Sequence, residues 1–172
     1  DIGYVMTSTN VIYLERGSTE PAPCRLVIHP GTDKQTTIEA ELASDDRRQG
    51  VAFLRVKADG LPTPPALANE ELREGAKFSA YGLNNFTDTA QISFREATVE
   101  TIRKNDAGDV LEVELAGTGL DELQGSVVVD KNNHVVGFAQ AVRSRSSRGT
   151  PTNKATLTPA AKIAQMWTPS LL

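Results

Sequence analysis

The chain has 172 residues, 39% of them hydrophobic and 23% charged, with a formal net charge of −4. That apolar content argues for a packed core and against a disordered chain, while the acidic balance excludes non-specific nucleic-acid binding, which needs a basic face. No apolar run approaches the roughly 20 residues of a membrane span, and Cys24 is the one cysteine, so no intrachain disulfide forms.

Length alone fits one domain, or two small barrels sharing an interface. The chain starts at Asp1 with no charged and apolar leader, so it is expected to be a mature product or an excised piece. Tyr4 to Thr7 is a short apolar-rich run. Cys24 to Ile28 alternates and stops at the turn signal His29-Pro30-Gly31. Thr36 to Leu42 alternates again. Val51 to Val56 is nearly all apolar, the pattern of a strand buried on both faces. Leu61 to Pro65 holds prolines at 62, 64 and 65 and cannot be a central strand or helix, so it marks a connector. Lys77 to Tyr81, Gln91 to Thr101 and Val110 to Leu115 follow as strands. Val127 to Val129 and Val135 to Val142 flank Lys131-Asn132-Asn133, a hairpin turn. Arg143 to Gly149 is basic, serine-rich and aperiodic, an exposed loop. Ala155 to Leu157 is the last strand. Thr158 suits a helix N-cap and Pro159 a first helical position, so a helix is expected from there to about Trp167.

Many short strands and one terminal helix give an all-β class. Six segments then resemble, in order, the trypsin-like proteases of the HtrA/Deg type. Gly3 to Ile12 is similar to "GYVVTNNHVV", Gln49 to Leu54 to "SDIALI", and Leu72 to Gly82 to "LRVGDYVVAIG". Gln91 to Thr101 has the character of "VTSGIVSAL", Leu123 to Phe138 is similar to "NSGGALVNLNGELIGI", and Ala155 to Pro159 to "FAIPS". The resemblance covers Gly3 to about Ile163. It implies two antiparallel β-barrels of the six-stranded type and a short C-terminal helix. The family's opening strands would precede Gly3, so the first barrel is expected to be incomplete. The implied division is a first barrel over 1–60, a connector over 61–76, and a second barrel with the helix over 77–172.

Position by position, the resemblance implies lost chemistry. Asn10 stands where the catalytic His would be, and a carboxamide has no basic nitrogen to take a proton. Gly50 stands at the Asp position, leaving nothing to orient an imidazolium. Gln124 stands at the Ser position, and its amide is no nucleophile. Glu122 replaces the oxyanion-hole glycine and would set a carboxylate near developing negative charge. The three triad positions are expected to meet between the barrels.

Other residues carry sharper and blander readings. Ser126 is either a displaced nucleophile or a structural serine in a turn; Val127 follows it where the family needs glycine. His29 and His134 read as surface histidines beside turns, and no spacing of His, Cys and Asp suggests a metal site. No cofactor is implied. Cys24 reads as a structural thiol. Arg143, Arg145 and Arg148 lie in a solvated loop that borders the family's specificity pocket. With Thr156 and Leu157, Arg143 and Arg145 are the candidates for contacting a peptide. Asp45 to Arg48 reads as a solvated turn.

The function expected is a catalytically inactive trypsin-like domain serving as a protein- or peptide-binding, scaffolding or regulatory module. The alternatives are a purely structural β domain or a residual hydrolase using Ser126. The resemblance further implies a protein partner, possible assembly with HtrA-like relatives and an extracytoplasmic setting.

Overall fold

In a computed structural model, residues 2–13, 17–69, 71–84, 91–123, 125–141 and 153–166 are described, the side chains of residues 83, 84, 91 and 141 excepted. The chain divides between Pro64 and Pro65 into two compact units.

The first unit holds β1 (Ile2–Ser8), a single helical turn α1 (Thr9–Ile12), β2 (Cys24–Ile28), β3 (Thr36–Asp46) and β4 (Val51–Lys57). The strands form one antiparallel sheet in the order β1-β4-β3-β2, a half-barrel. β4 sits between two neighbours, and Val51, Ala52, Phe53 and Leu54 in succession are buried, as its continuous apolar run requires. Ile12, Ala52 and Leu54 form the core of this unit, with Tyr13, Cys24, Ala40 and Leu42 packed on it.

The second unit holds β5 (Lys77–Asn84), β6 (Gln91–Lys104), β7 (Val110–Ala116), a 3-10 turn (Leu120–Glu122), β8 (Ser126–Val129), β9 (Val135–Ala141), β10 (Lys154–Pro159) and α2 (Ala160–Met166). Its strands close into a barrel in the order β10-β7-β6-β5-β8-β9. Alternation fills the interior: Ala97 and Val99 of β6, Val113 and Leu115 of β7, and Ala155 and Leu157 of β10 are all buried in one cluster. Complete burial of a leucine such as Leu115 contributes about 2 kcal/mol. Ahead of β5, Ala68 N–H donates to the Val135 carbonyl and Val135 N–H donates to the Ala66 carbonyl, each at 2.8 Å. The stretch just after the prolines is thereby fastened to β9.

The expected class holds: mostly β, one closed six-stranded barrel, one incomplete barrel and a short C-terminal helix. The helix begins later than the capping residues imply. Thr158 and Pro159 pair with Phe138 and Gly137 as the end of β10, so the ladder overrides their helical propensity and Ala160 opens α2. Trp167, its expected end, lies outside the described residues.

Candidate functional site

In the first unit, the end of β1 and the β3–β4 turn are built as one piece. Asp46 and Val51 are register partners, and the Asp46 carboxylate accepts from Gln49 N–H at 2.9 Å. Gly50 leaves the turn at φ +69°, a left-handed conformation that favours glycine. Its carbonyl accepts from Thr9 N–H at 3.0 Å. The Ser8 hydroxyl caps α1 by accepting from Asn10 N–H at 3.2 Å. Asn10 is exposed, and buried Ile12 anchors the turn beneath it. One backbone hydrogen bond thus holds Gly50 against Thr9, the chain neighbour of Asn10.

The Asp45–Arg48 segment is more than a solvated turn. The Arg47 guanidinium lies 3.8 Å from the centre of the Tyr13 ring and donates to the Ser18 carbonyl at 2.9 Å. It ties the β3–β4 turn to Tyr13 and to Ser18. Cys24 is half-buried, its thiol donates to the Ala22 carbonyl at 3.2 Å, and burial raises its pKa.

In the second unit, Gly117 to Leu123 form a turn in which three backbone donors are used internally. Leu120 N–H donates to Gly117, Glu122 N–H to Gly119 at 3.3 Å, and Leu123 N–H to Leu120. Asn153, at φ +51°, braces the turn: its carbonyl accepts from Gly117 N–H and its side-chain oxygen from Gly119 N–H. Leu120 and Leu123 point into the core. Glu122 faces Arg95, with its Oε2 3.2 Å from Nη2. Gly119 lies so close beneath Arg95 that a Cβ there would stand 2.7 Å from Nε.

Ser126 is the first residue of β8, not a turn residue, and is 3% exposed. Its hydroxyl lies against Gly82 of β5. His134 sits at the opposite end of the β8–β9 hairpin, where Val129 pairs with Val135, about 10 Å along the strand. The imidazole there faces Asp130, with Nδ1 3.4 Å from Oδ2. Thr156 and Leu157 pair with β7 on one side and β9 on the other, and Leu157 is a core residue. Their ladder hydrogen bonds are thus used within the barrel. Gln124, Arg143, Arg145 and Arg148 lie outside the described residues.

Arg95 and Asn153 escaped the sequence reading. The available signal was Arg95 itself, a charge in the inward register of Ser93, Ala97 and Val99. Asn153 gave none beyond the tolerance of asparagine for a left-handed backbone. Among the described residues, no group of three His, Cys, Asp or Glu side chains could hold a metal ion, and no helix is long and apolar enough to cross a membrane.

Residues 1–138 match the family model for the trypsin-like peptidase domain. The chain belongs to that family. Among solved structures, this trypsin-like domain is similar to the MamO protease domain from Magnetospirillum magneticum in its apo form. The two share 16% identity at a TM-score of 0.68, over 96% of this chain and 83% of that one. At that identity the likeness is one of fold. No curated protein matches the trypsin-like domain described here.

Proposed function

We propose that this is a catalytically inactive trypsin-like domain of the HtrA/Deg type that serves as a peptide- or protein-binding module. The observation that carries the reading is the Thr9–Gly50 hydrogen bond. It holds Gly50 against Thr9, the chain neighbour of Asn10, which supports reading Asn10 and Gly50 as the base and acid positions of a lost triad. An amide and a bare glycine at that spot can neither accept nor relay a proton.

The turn before position 124 supports the same reading. An oxyanion hole needs backbone donors aimed at the developing charge. The Glu122 N–H is already bonded to Gly119, and the Glu122 carboxylate lies close by on Arg95. A residual hydrolase using Ser126 is opposed by the burial of that hydroxyl in β8 and by the distance to His134. With chemistry lost, the barrel surfaces and strand edges remain as binding surfaces, and assembly with HtrA-like relatives belongs to the same proposal.

The test is twofold. Purified protein is incubated with unfolded casein and with a reactive aryl ester, and turnover at the buffer blank is expected. Turnover that survives purification and disappears in Ser126→Ala would overturn the reading. Immobilised protein should also retain a defined partner from extracts of its source; retention of none would favour a purely structural domain.

A further inference from the structure

Strand β6 has two neighbours, but not along the same length. β5 pairs with it from Gln91 to Thr98, whereas β7 pairs with it only from Thr98 to Lys104. Among the described residues, nothing pairs with the side of β6 away from β5 between Gln91 and Ala97. Among the described residues, the barrel, closed in strand order, keeps a short free edge.

The backbone direction on that edge follows from one contact. Arg95 Nη1 donates to the Phe94 carbonyl at 2.9 Å, so this carbonyl faces the unpaired side. In an antiparallel ladder, alternate residues direct their N–H and C=O to opposite neighbours. Ile92 therefore faces the same way as Phe94. The Ile92 N–H and C=O and the Phe94 N–H are directed outward, while the Phe94 carbonyl stays with Arg95.

The side chains at this edge are apolar and in water. Ile92 is 72% and Phe94 63% exposed, and Tyr81, the register partner of Phe94, is 38% exposed. The Tyr81 and Phe94 rings lie 6.0 Å apart. Ile92, Ser93 and Phe94 include no charge and no proline, the usual devices that keep an edge from pairing. The rim beyond is neutralised by the Lys77–Glu96 ion pair at 3.1 Å. The Glu96 carbonyl lies against Gly117, so the turn after β7 ends the opening there.

We propose that the Ile92–Phe94 edge docks an uncharged, extended peptide segment with apolar side chains at alternate positions, added as one more strand beside β6. The unpaired backbone selects an extended chain over a globular apolar surface. The spacing of Ile92 and Phe94, about 7 Å along the same face, selects apolar residues two apart. The neutral rim selects against charge. This refines the peptide-binding reading but uses none of the triad positions, so hydrolase assays and this proposal fail independently.

The probe is a fluorescein-labelled heptapeptide of alternating threonine and valine, titrated with the whole chain by fluorescence anisotropy. Saturable binding is expected. Phe94→Thr, which keeps a strand-forming residue, should weaken it at least about tenfold. Ile92→Pro removes an outward N–H that no ladder among the described residues uses, and should abolish binding with an unchanged far-ultraviolet circular dichroism spectrum. The same peptide with N-methylated valines should not bind. Absence of saturable binding, or equal binding by the N-methylated peptide or by Phe94→Thr, would overturn the proposal. So would a wild-type dimer in sedimentation velocity that Phe94→Thr dissolves, because the occupant would then be a second copy.

Discussion

Replacing Gly50 with aspartate, the residue a triad would need there, is expected to weaken the first unit and to gain no activity. Gly50 sits at φ +69° with its carbonyl bonded to Thr9 N–H, and its successor Val51 is fully buried, so the turn cannot shift freely. A Cβ on a left-handed backbone costs about 1–2 kcal/mol, with asparagine and aspartate tolerating it best. Gly50→Ala should therefore lose about 1–2 kcal/mol, Gly50→Asp less and Gly50→Asn least. In a unit as small as residues 1–64, about 1 kcal/mol lowers Tm by roughly 4–8 °C. Thermal and urea melts followed by circular dichroism, beside an aryl-ester assay, read both effects. Where the backbone suits alanine, Gly→Ala instead stabilises by about 0.4–1 kcal/mol. A Gly50→Ala variant with a raised Tm would refute the left-handed assignment and the strain argued from it.

Gln124→Ser alone should leave peptide and ester hydrolysis at the blank, since triad members act as a unit and their joint loss costs about a millionfold in turnover. Protease-like rates in that variant would reveal an unrecognised base. Asp130 is buried, which by itself would raise its pKa, but N–H groups of His134 and Asn132 and the nearby imidazole outweigh this and hold the carboxyl below its usual range. A depressed folded pKa gives stability that is present above the unfolded value and lost as pH falls through the folded one. Asp130→Ala should thus lower Tm at neutral pH, with the gap to wild type closing below about pH 4; a gap independent of pH would count against it. Lys154 bridges Glu100 and Glu114 at 2.7 Å each, and these hydrogen bonds raise its pKa beyond the ordinary lysine range. Lys154→Met should leave two facing carboxylates and lower Tm at neutral pH, and molar salt should recover part of the loss by screening them. An unchanged Tm would show the bridge to be inconsequential.

Much of the strand pattern was legible in the sequence because burial writes a period into it. The apolar run Val51 to Val56 needs two covered faces, and β4 has them; Val127 to Val129 and Val135 onward frame their hairpin as the turn residues indicate. The prolines at 62, 64 and 65 mark the region where the chain divides. The proposed triad positions rest on resemblance alone, since composition and spacing assign no role to Asn10 or Gly50. Short features left no trace. α1 and the turn at Leu120–Glu122 are too brief for a period, and Gly50 and Asn153 brace them from distant parts of the chain.

Local pattern determined that Thr156 and Leu157 lie on a strand, but only the register with β7 and β9 decided that this strand is interior. Likewise the sequence assigned Ile92 and Phe94 to a strand, with nothing to say that β7 stops short of them. Which residues alternate is a local property of the backbone, carried by every strand alone. Which edges stay unpaired depends on the relative lengths and offsets of strands far apart in the chain, and that is settled only when they meet.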